Sequence, residues 1–201
     1  MKDARAQARR DREDLLTGIG VGALAVGYVL YRGIGNIAEM FSNPGAVTVR
    51  APLPDQQITA SIGDGAPAIV SSGTVIAPGV SVVAIVFLVM ATVAGMLGLI
   101  LAAVTGVIVC RRLLQGIVFD VVNTRLLFTL SIALLVAGLG EAFFRNMGLN
   151  GVFAALGGDF DGSPGLILEA VPLFIAAIAV GVVVIPFRRG TALQRDTEGL
   201  V

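Results

Sequence analysis

The fold of this chain is decided by its longest apolar stretch, Val82–Val109, whose sequence is VVAIVFLVMATVAGMLGLILAAVTGVIV. A helix crosses the hydrocarbon core of a bilayer with about 20 apolar residues, so this stretch is long enough to span it with tilt. Three further apolar stretches follow the same pattern. The sequence therefore predicts an all-α membrane protein, a bundle of four transmembrane helices at residues 15–33, 82–109, 126–145 and 166–186.

The composition supports a membrane protein and excludes common kinds of catalytic site. Hydrophobic residues make up 56% of the chain and charged residues 14%, whereas soluble domains carry about 25% charged residues. Histidine is absent and Cys110 is the only cysteine, so the usual ligands of zinc and haem and the usual bases of cysteine nucleophiles are missing. We expect no metal site, no cofactor and no enzymatic activity.

The segments between the predicted spans differ in amino-acid composition. Residues 34–81 are rich in proline and glycine, and Ala46–Arg50 and Ile69–Val70 favour short strands, so we predict a small β-rich lobe. The lobe is too short to bury a substantial core alone, and we expect it to lean on the membrane or on its own helices. The other segments are a charged arm (1–14), a polar loop (110–125), a glycine-rich loop (146–165) and a polar tail (187–201).

Lysine and arginine are distributed unevenly among these segments. Eleven of the 14 lie in the arm, the polar loop and the tail, or directly beside them. Positively charged loops stay on the cytoplasmic side of a membrane. We therefore predict a multi-pass protein of the bacterial plasma (inner) membrane, with both termini cytoplasmic and the lobe and the glycine-rich loop extracytoplasmic.

Four charged residues lie near the extracytoplasmic ends of the predicted spans: Arg32, Glu141, Arg145 and Glu169. Glu141 and Arg145 are four residues apart, the spacing of an ion pair within one helix. We expect an interfacial charge cluster that either links the helices or binds an ion or a lipid headgroup. A general acid and base is a third interpretation, but the chain offers them no obvious nucleophile.

Small residues recur every four positions along the second span, at Ala94, Gly98, Ala102 and Gly106. Helices in a bilayer approach closely where such residues face a neighbour. The ladder predicts helix packing inside the chain, with the seam of a homo-oligomer as the alternative.

The polar loop contains the most specific pattern of the sequence. We interpret it as the end of one helix, a turn at Gly116, and a second helix with Asp120 as its N-cap. The loop is either a well-formed connection between helices or a docking surface for a partner. Its candidate residues are Arg111, Arg112, Gly116, Phe119, Asp120, Asn123 and Arg125.

This loop has a glycine at 116, a phenylalanine at 119 and an asparagine four residues later at 123, with a polar cap at Asp120. In this motif and in its layout the chain resembles a bacterial four-span membrane family, family 2975 of the domains of unknown function. Its long charged N-terminus departs from that family. Members are often encoded beside small helix-turn-helix regulators, so the resemblance implies a membrane partner in regulation. The resemblance implies no catalytic residue.

Together these features predict an accessory or regulatory membrane protein without catalytic activity. It would bind a protein partner, a transcription regulator or another membrane protein, through its cytoplasmic face, without contacting nucleic acid directly. The alternative is an oligomeric small transporter or channel subunit, which requires polar side chains inside the spans. The candidates for that role are Thr17, Thr92, Thr105, Thr129 and Ser131.

Overall fold

The computed structural model of the protein describes residues 2–59 and 67–198. Met1, residues 60–66 and residues 199–201, which belong to the predicted arm, lobe and tail, lie outside the described residues. The elements, in chain order, are α1 (Lys2–Met40), β1 (Ala46–Thr59), β2 (Pro67–Pro78), α2 (Val82–Leu114), α3 (Val121–Leu135), a π-helical turn (Val136–Gly140), α4 (Glu141–Ala155) and α5 (Ser163–Glu198).

Four helical stretches of the described residues are long and apolar enough to cross a membrane: Arg12–Met40, Val82–Leu114, Val121–Ala155 and Ser163–Leu193. This confirms the predicted number of apolar helices and the mainly helical class with a small sheet. Many large apolar side chains on these helices are exposed. A helix that is apolar on its exposed faces needs an apolar environment around it, which fits the predicted bilayer.

The helices extend beyond the apolar stretches. Helix α1 continues to Met40, seven residues into the predicted lobe, and α4 continues to Ala155, where we expected a glycine-rich loop from residue 146. Helix α5 passes through Pro186 and ends at Glu198 instead of ending at the proline. Hydropathy marks where the apolar surface ends, but a helix continues until its backbone bonds are interrupted. The membrane boundaries of the spans remain predictions.

The predicted β lobe is one antiparallel hairpin. Ala46 lies opposite Pro78 and Arg50 opposite Thr74, and the register shifts between Pro52 and Gln56. Proline has no backbone N–H, so it fits only at the edge of a sheet or at a bulge, and this hairpin offers both. The predicted strand segments are confirmed, and both strands are longer than expected.

The chain forms two compact units. We call the first the hairpin unit, which consists of Arg32–Ala94 and Gly138–Val171. We call the second the loop unit, which consists of Met1–Tyr31, Gly95–Ala137 and Pro172–Val201, within the described residues.

The hairpin unit has a core that strands and helices share. Its buried residues are Met40, Val47, Val49, Ala51, Ala77, Leu88, Leu149, Val152, Phe160 and Leu166. The short lobe therefore leans on its own helices, one of the two expected arrangements. Gly148 explains why glycines occur in α4: a Cβ atom there would lie 2.6 Å from Cγ of Leu88, so glycine permits the close approach to α2.

The loop unit is packed through small residues of the predicted ladder. A Cβ atom at Gly98 would lie 2.8 Å from both the carbonyl oxygen of Ala133 and Cβ of Ala137. Ala102 is buried, and Gly106 faces Leu130. These three positions pack inside the chain, whereas Ala94 belongs to the hairpin unit.

Candidate functional site

A cavity of about 490 Å³ lies in the hairpin unit. All four residues of the predicted charge cluster line it, although they are distant in sequence. Two further charged residues, Glu39 and Arg50, complete a wall of three guanidinium groups and three carboxylates. The structure thus brings together the whole predicted cluster, which consists of Arg32, Glu141, Arg145 and Glu169.

Helical periodicity places several of these side chains. Arg32, Asn36 and Glu39 follow the i, i+4, i+7 spacing and therefore share one face of α1. Glu141 and Arg145 share a face of α4 in the same way. Because α1 is helical to Met40, its last two turns supply polar side chains to the cavity.

The hairpin supplies the polar side chains on its strands. Arg50 and Thr74 are register partners, as are Pro52 and Ser72, and all four line the cavity. Val49, which neighbours Arg50, is buried in the core. Val49 also lines the cavity, so core and polar side chains of β1 meet at its wall.

Arg145 is the most connected charged residue of the cavity. Its Nη1 donates to Oε2 of Glu169 at 2.6 Å, and its Nη2 donates to the carbonyl oxygen of Arg50 at 3.1 Å. These bonds join α4 to α5 and to the hairpin. The predicted ion pair between Glu141 and Arg145 within one helix is not formed, and Arg145 pairs with Glu169 of α5 instead.

The other charged groups of the cavity are not bonded to one another. Within the described part of the chain, the side chains of Arg32, Glu39, Arg50 and Glu141 form neither a hydrogen bond nor an ion pair. The cavity also has apolar lining from Met40 and several helical residues, Leu88, Ala91 and Leu149. It therefore combines open charges of both signs with a smaller share of apolar surface, a composition that favours a charged ligand over an apolar one.

The predicted loop lies in the loop unit and begins with a regular helix end. Gly116 has φ of +78°, its N–H donates to the carbonyl of Leu113 at 2.9 Å, and the N–H of Ile117 donates to that of Arg112 at 3.1 Å. These two bonds form a Schellman motif, in which glycine is favoured because of its positive φ. The predicted turn at Gly116 is confirmed.

Asn123 holds the loop together. It is fully buried, its Oδ1 accepts a hydrogen bond from Nε of Arg112 at 2.6 Å, and its Nδ2 donates to the carbonyls of Ile117 at 2.7 Å and Val118 at 3.0 Å. The guanidinium of Arg112 also pairs with the carboxylate of Asp120. Asp120 occupies the N-cap position of α3 as predicted, but the expected side-chain cap is absent, because the carboxylate binds Arg112 instead.

The predicted loop residues therefore divide into two groups. Gly116 forms the turn, and Arg112, Asp120 and Asn123 bond to one another or to the loop backbone. Arg111 and Arg125 are exposed. Phe119 is 45% exposed and contacts Phe187 of α5, with ring centroids 5.7 Å apart.

Some residues of both sites could not be assigned from the sequence. Glu39 lies in the segment predicted as the β-rich lobe, where a helical spacing from Arg32 is not expected. Arg50 lies in a segment predicted as a strand and outside the predicted charge cluster, because it is distant in sequence from the ends of the spans. Ile117 and Val118, which lie beside Phe119, are 38% and 39% exposed. The sequence feature that could have identified them is a run of apolar residues directly after the predicted turn.

Comparisons with models of known protein families, with curated proteins and with solved structures found no match. The resemblance to family 2975 remains a prediction from the sequence.

Proposed function

We propose that the protein is a non-enzymatic accessory or regulatory protein of a bacterial plasma membrane, which binds a protein partner through the exposed tip of its polar loop. The observation that carries this proposal is the tip itself: Ile117, Val118 and Phe119 are consecutive, apolar and each more than one-third exposed. Exposed apolar clusters on an otherwise bonded turn are typical of interaction surfaces.

The tip is held in place before any partner arrives. The Schellman turn fixes its start, and Asn123 binds the carbonyls of Ile117 and Val118. A preformed loop loses little conformational entropy on binding, so its side chains contribute more fully to affinity. The aromatic ring of Phe119 is the residue type that most often anchors such contacts.

Charge indicates the chemistry of the partner. The exposed arginines of the same unit as the tip include two in the loop and two on α5: Arg111, Arg125, Arg188 and Arg189. A partner segment that carries carboxylates around an apolar side chain would complement them. Anionic lipid headgroups would attract the same arginines, at about 1 kcal/mol each, and the crosslinking experiment below distinguishes lipid from a protein partner.

The bonding of the hydroxyl groups disfavours the pore alternative. Thr17, Thr92 and Thr105 donate to backbone carbonyls of their own helices, and Ser131 on α3 donates to the carbonyl of Ala177 on α5 at 2.8 Å. Of the five candidate hydroxyls, these four use their protons within the protein, and Thr129 forms no side-chain hydrogen bond within the described residues. This bonding pattern is typical of helix packing in membranes.

Site-specific photocrosslinking in intact cells tests the proposal. A benzoylphenylalanine at Val118 is expected to crosslink to one defined protein. The same probe at Leu168, which is 70% exposed on an apolar helix, is the control and is expected to crosslink to lipid. Substitution of Arg111 and Arg125 by glutamine should weaken the crosslink at Val118. Crosslinks from Val118 only to lipid, or only to another copy of the chain, would contradict the partner proposal.

A further inference from the structure

We propose that the cavity of the hairpin unit is a binding site for a zwitterion that carries a phosphate and an ammonium group. This inference is independent of the proposed partner at the loop. It uses the four charged side chains that the fold leaves open: Arg32, Glu39, Arg50 and Glu141.

The open charges are balanced, two positive and two negative, but their positions keep some of them from pairing. Arg32 and Glu39 are seven residues apart on α1, which separates them by about 10 Å along the helix axis. Direct contact at that separation is geometrically difficult for two side chains of one face. A ligand with separated charges of opposite sign can satisfy both.

The identity of the side chains selects the ligand groups. The planar guanidinium group of arginine suits bidentate binding of phosphate, and Arg32 and Arg50 have their guanidinium groups uncommitted. Glu39 and Glu141 accept hydrogen bonds from an ammonium group when they are ionised. An anion without the ammonium group would leave the carboxylates facing a like charge, and such juxtapositions disfavour the wrong ligand.

The size of the cavity fits a small zwitterion. Its volume of about 490 Å³ lies within the range of about 300–1,000 Å³ that is common for small-molecule sites. The apolar residues Leu88, Ala91 and Leu149 can contact the carbon atoms between the two charged groups. Arg145 is bonded to Glu169 and to the backbone of the hairpin, so it holds the wall of the cavity in place. The four open charged side chains can then bind the ligand.

Two sources present this chemistry, a phosphoethanolamine lipid headgroup and a free phosphate–ammonium solute. Binding of glycerophosphoethanolamine to the full chain, in nanodiscs of phosphatidylglycerol only, tests the shared chemistry by calorimetry. We expect saturable binding that is at least about tenfold tighter than binding of glycerol 3-phosphate or ethanolamine alone, because each lacks one charge-assisted contact. Absence of saturable binding, or equal affinity for glycerol 3-phosphate, would overturn the proposal.

Substitutions of the cavity residues test whether the ligand binds in this cavity. Glu141→Gln and Arg32→Gln are each expected to weaken binding at least about tenfold, and Glu39→Gln provides a second carboxylate variant in case Glu141→Gln does not fold. Asp14→Asn, an exposed carboxylate of the loop unit, is the matched control and should bind like the wild type. Cavity variants that bind like the wild type would also overturn the proposal.

A second set of nanodiscs identifies the source. If the lipid headgroup is the ligand, phosphatidylethanolamine in the disc competes with the soluble probe and is retained in native mass spectra. If a free solute is the ligand, the affinity for the probe is the same in both discs. Either result supports the shared chemistry.

Discussion

The two polar clusters of this protein differ in how completely they are bonded. In the loop unit, Arg112, Asp120 and Asn123 bond to one another, and the buried amide of Asn123 uses both its oxygen and its nitrogen. In the hairpin unit, six charged side chains line one cavity, but only Arg145 and Glu169 form an ion pair.

This difference separates side chains that hold the fold from side chains that are available to a ligand. A buried polar network stabilises a loop when every member has its partner. Charges that face a cavity without partners form no attractive contact in the folded chain, so they contribute little to folding. The two clusters have similar composition and position in the sequence. Each combines arginines with carboxylates and amides near the ends of apolar stretches.

The largest expected effect concerns the side of the membrane on which each cluster lies. After Cys110→Ala, a single cysteine is introduced in the hairpin by Ser71→Cys or in the loop by Gln115→Cys; both positions are exposed. From the distribution of arginines, we expect a membrane-impermeant maleimide to label Ser71→Cys in intact cells and Gln115→Cys only after permeabilisation. Labelling in the opposite order would reverse the predicted orientation.

Asn123→Ala is expected to destabilise the protein most among single substitutions of the clusters. It removes three hydrogen bonds and leaves two carbonyls and Nε of Arg112 without partners, so we expect a loss of about 3 kcal/mol in the free energy of unfolding. Denaturant titration in detergent measures it. Asn150→Ala is the matched control, because Asn150 is exposed and bonds only to the carbonyl of Asn146 one turn earlier. Equal losses in both variants would mean that the loop network does not hold the fold.

Close packing, unlike polar bonding, is expected to be similar in the two units. Gly98→Ala in the loop unit and Gly148→Ala in the hairpin unit each place a methyl group against a neighbouring helix. We expect each to cost about 2 kcal/mol of unfolding free energy through overpacking. Gly27→Ala, where an added methyl group meets no atom within 4 Å, should be neutral or stabilising. A tolerated Gly98→Ala would leave room for the alternative of a seam between copies.

The two ion pairs offer a smaller contrast. Asp120→Asn breaks the pair with Arg112, and Glu169→Gln breaks the pair with Arg145. The carboxylate of Asp120 is 34% exposed and that of Glu169 is 57% exposed. We therefore expect both losses to be about 1 kcal/mol or less, with Glu169→Gln the smaller, because solvent screens exposed pairs. Thermal unfolding of the two variants side by side checks the order.

Much of the architecture could be predicted from the sequence, because hydropathy and turn chemistry act locally. The four apolar helices, the strand at Ala46–Arg50 and the turn at Gly116 depend on residues close in the chain. The partner of Arg145 could not be predicted, since i+4 spacing indicated Glu141 while the fold placed Glu169 closer. The helical end of α1 could not be predicted, because the polar residues there are as typical of a loop as of a helix. The position of Glu39 on the same helix face as Arg32 could therefore not be predicted either.

The most direct measurement is the unfolding free energy of the triple variant Arg32→Gln, Glu39→Gln, Glu141→Gln in detergent without ligand, beside that of Asn123→Ala. The two Glu→Gln substitutions keep the size of the side chain nearly constant, Arg32→Gln replaces a guanidinium by a shorter neutral side chain, and all three leave the pair of Arg145 and Glu169 intact. If the open charges bind a ligand and do not stabilise the fold, the unfolding free energy of the triple variant stays within about 1 kcal/mol of the wild type. That of Asn123→Ala falls by about 3 kcal/mol. A loss in the triple variant as large as that of Asn123→Ala would show that the cavity charges hold the helices together.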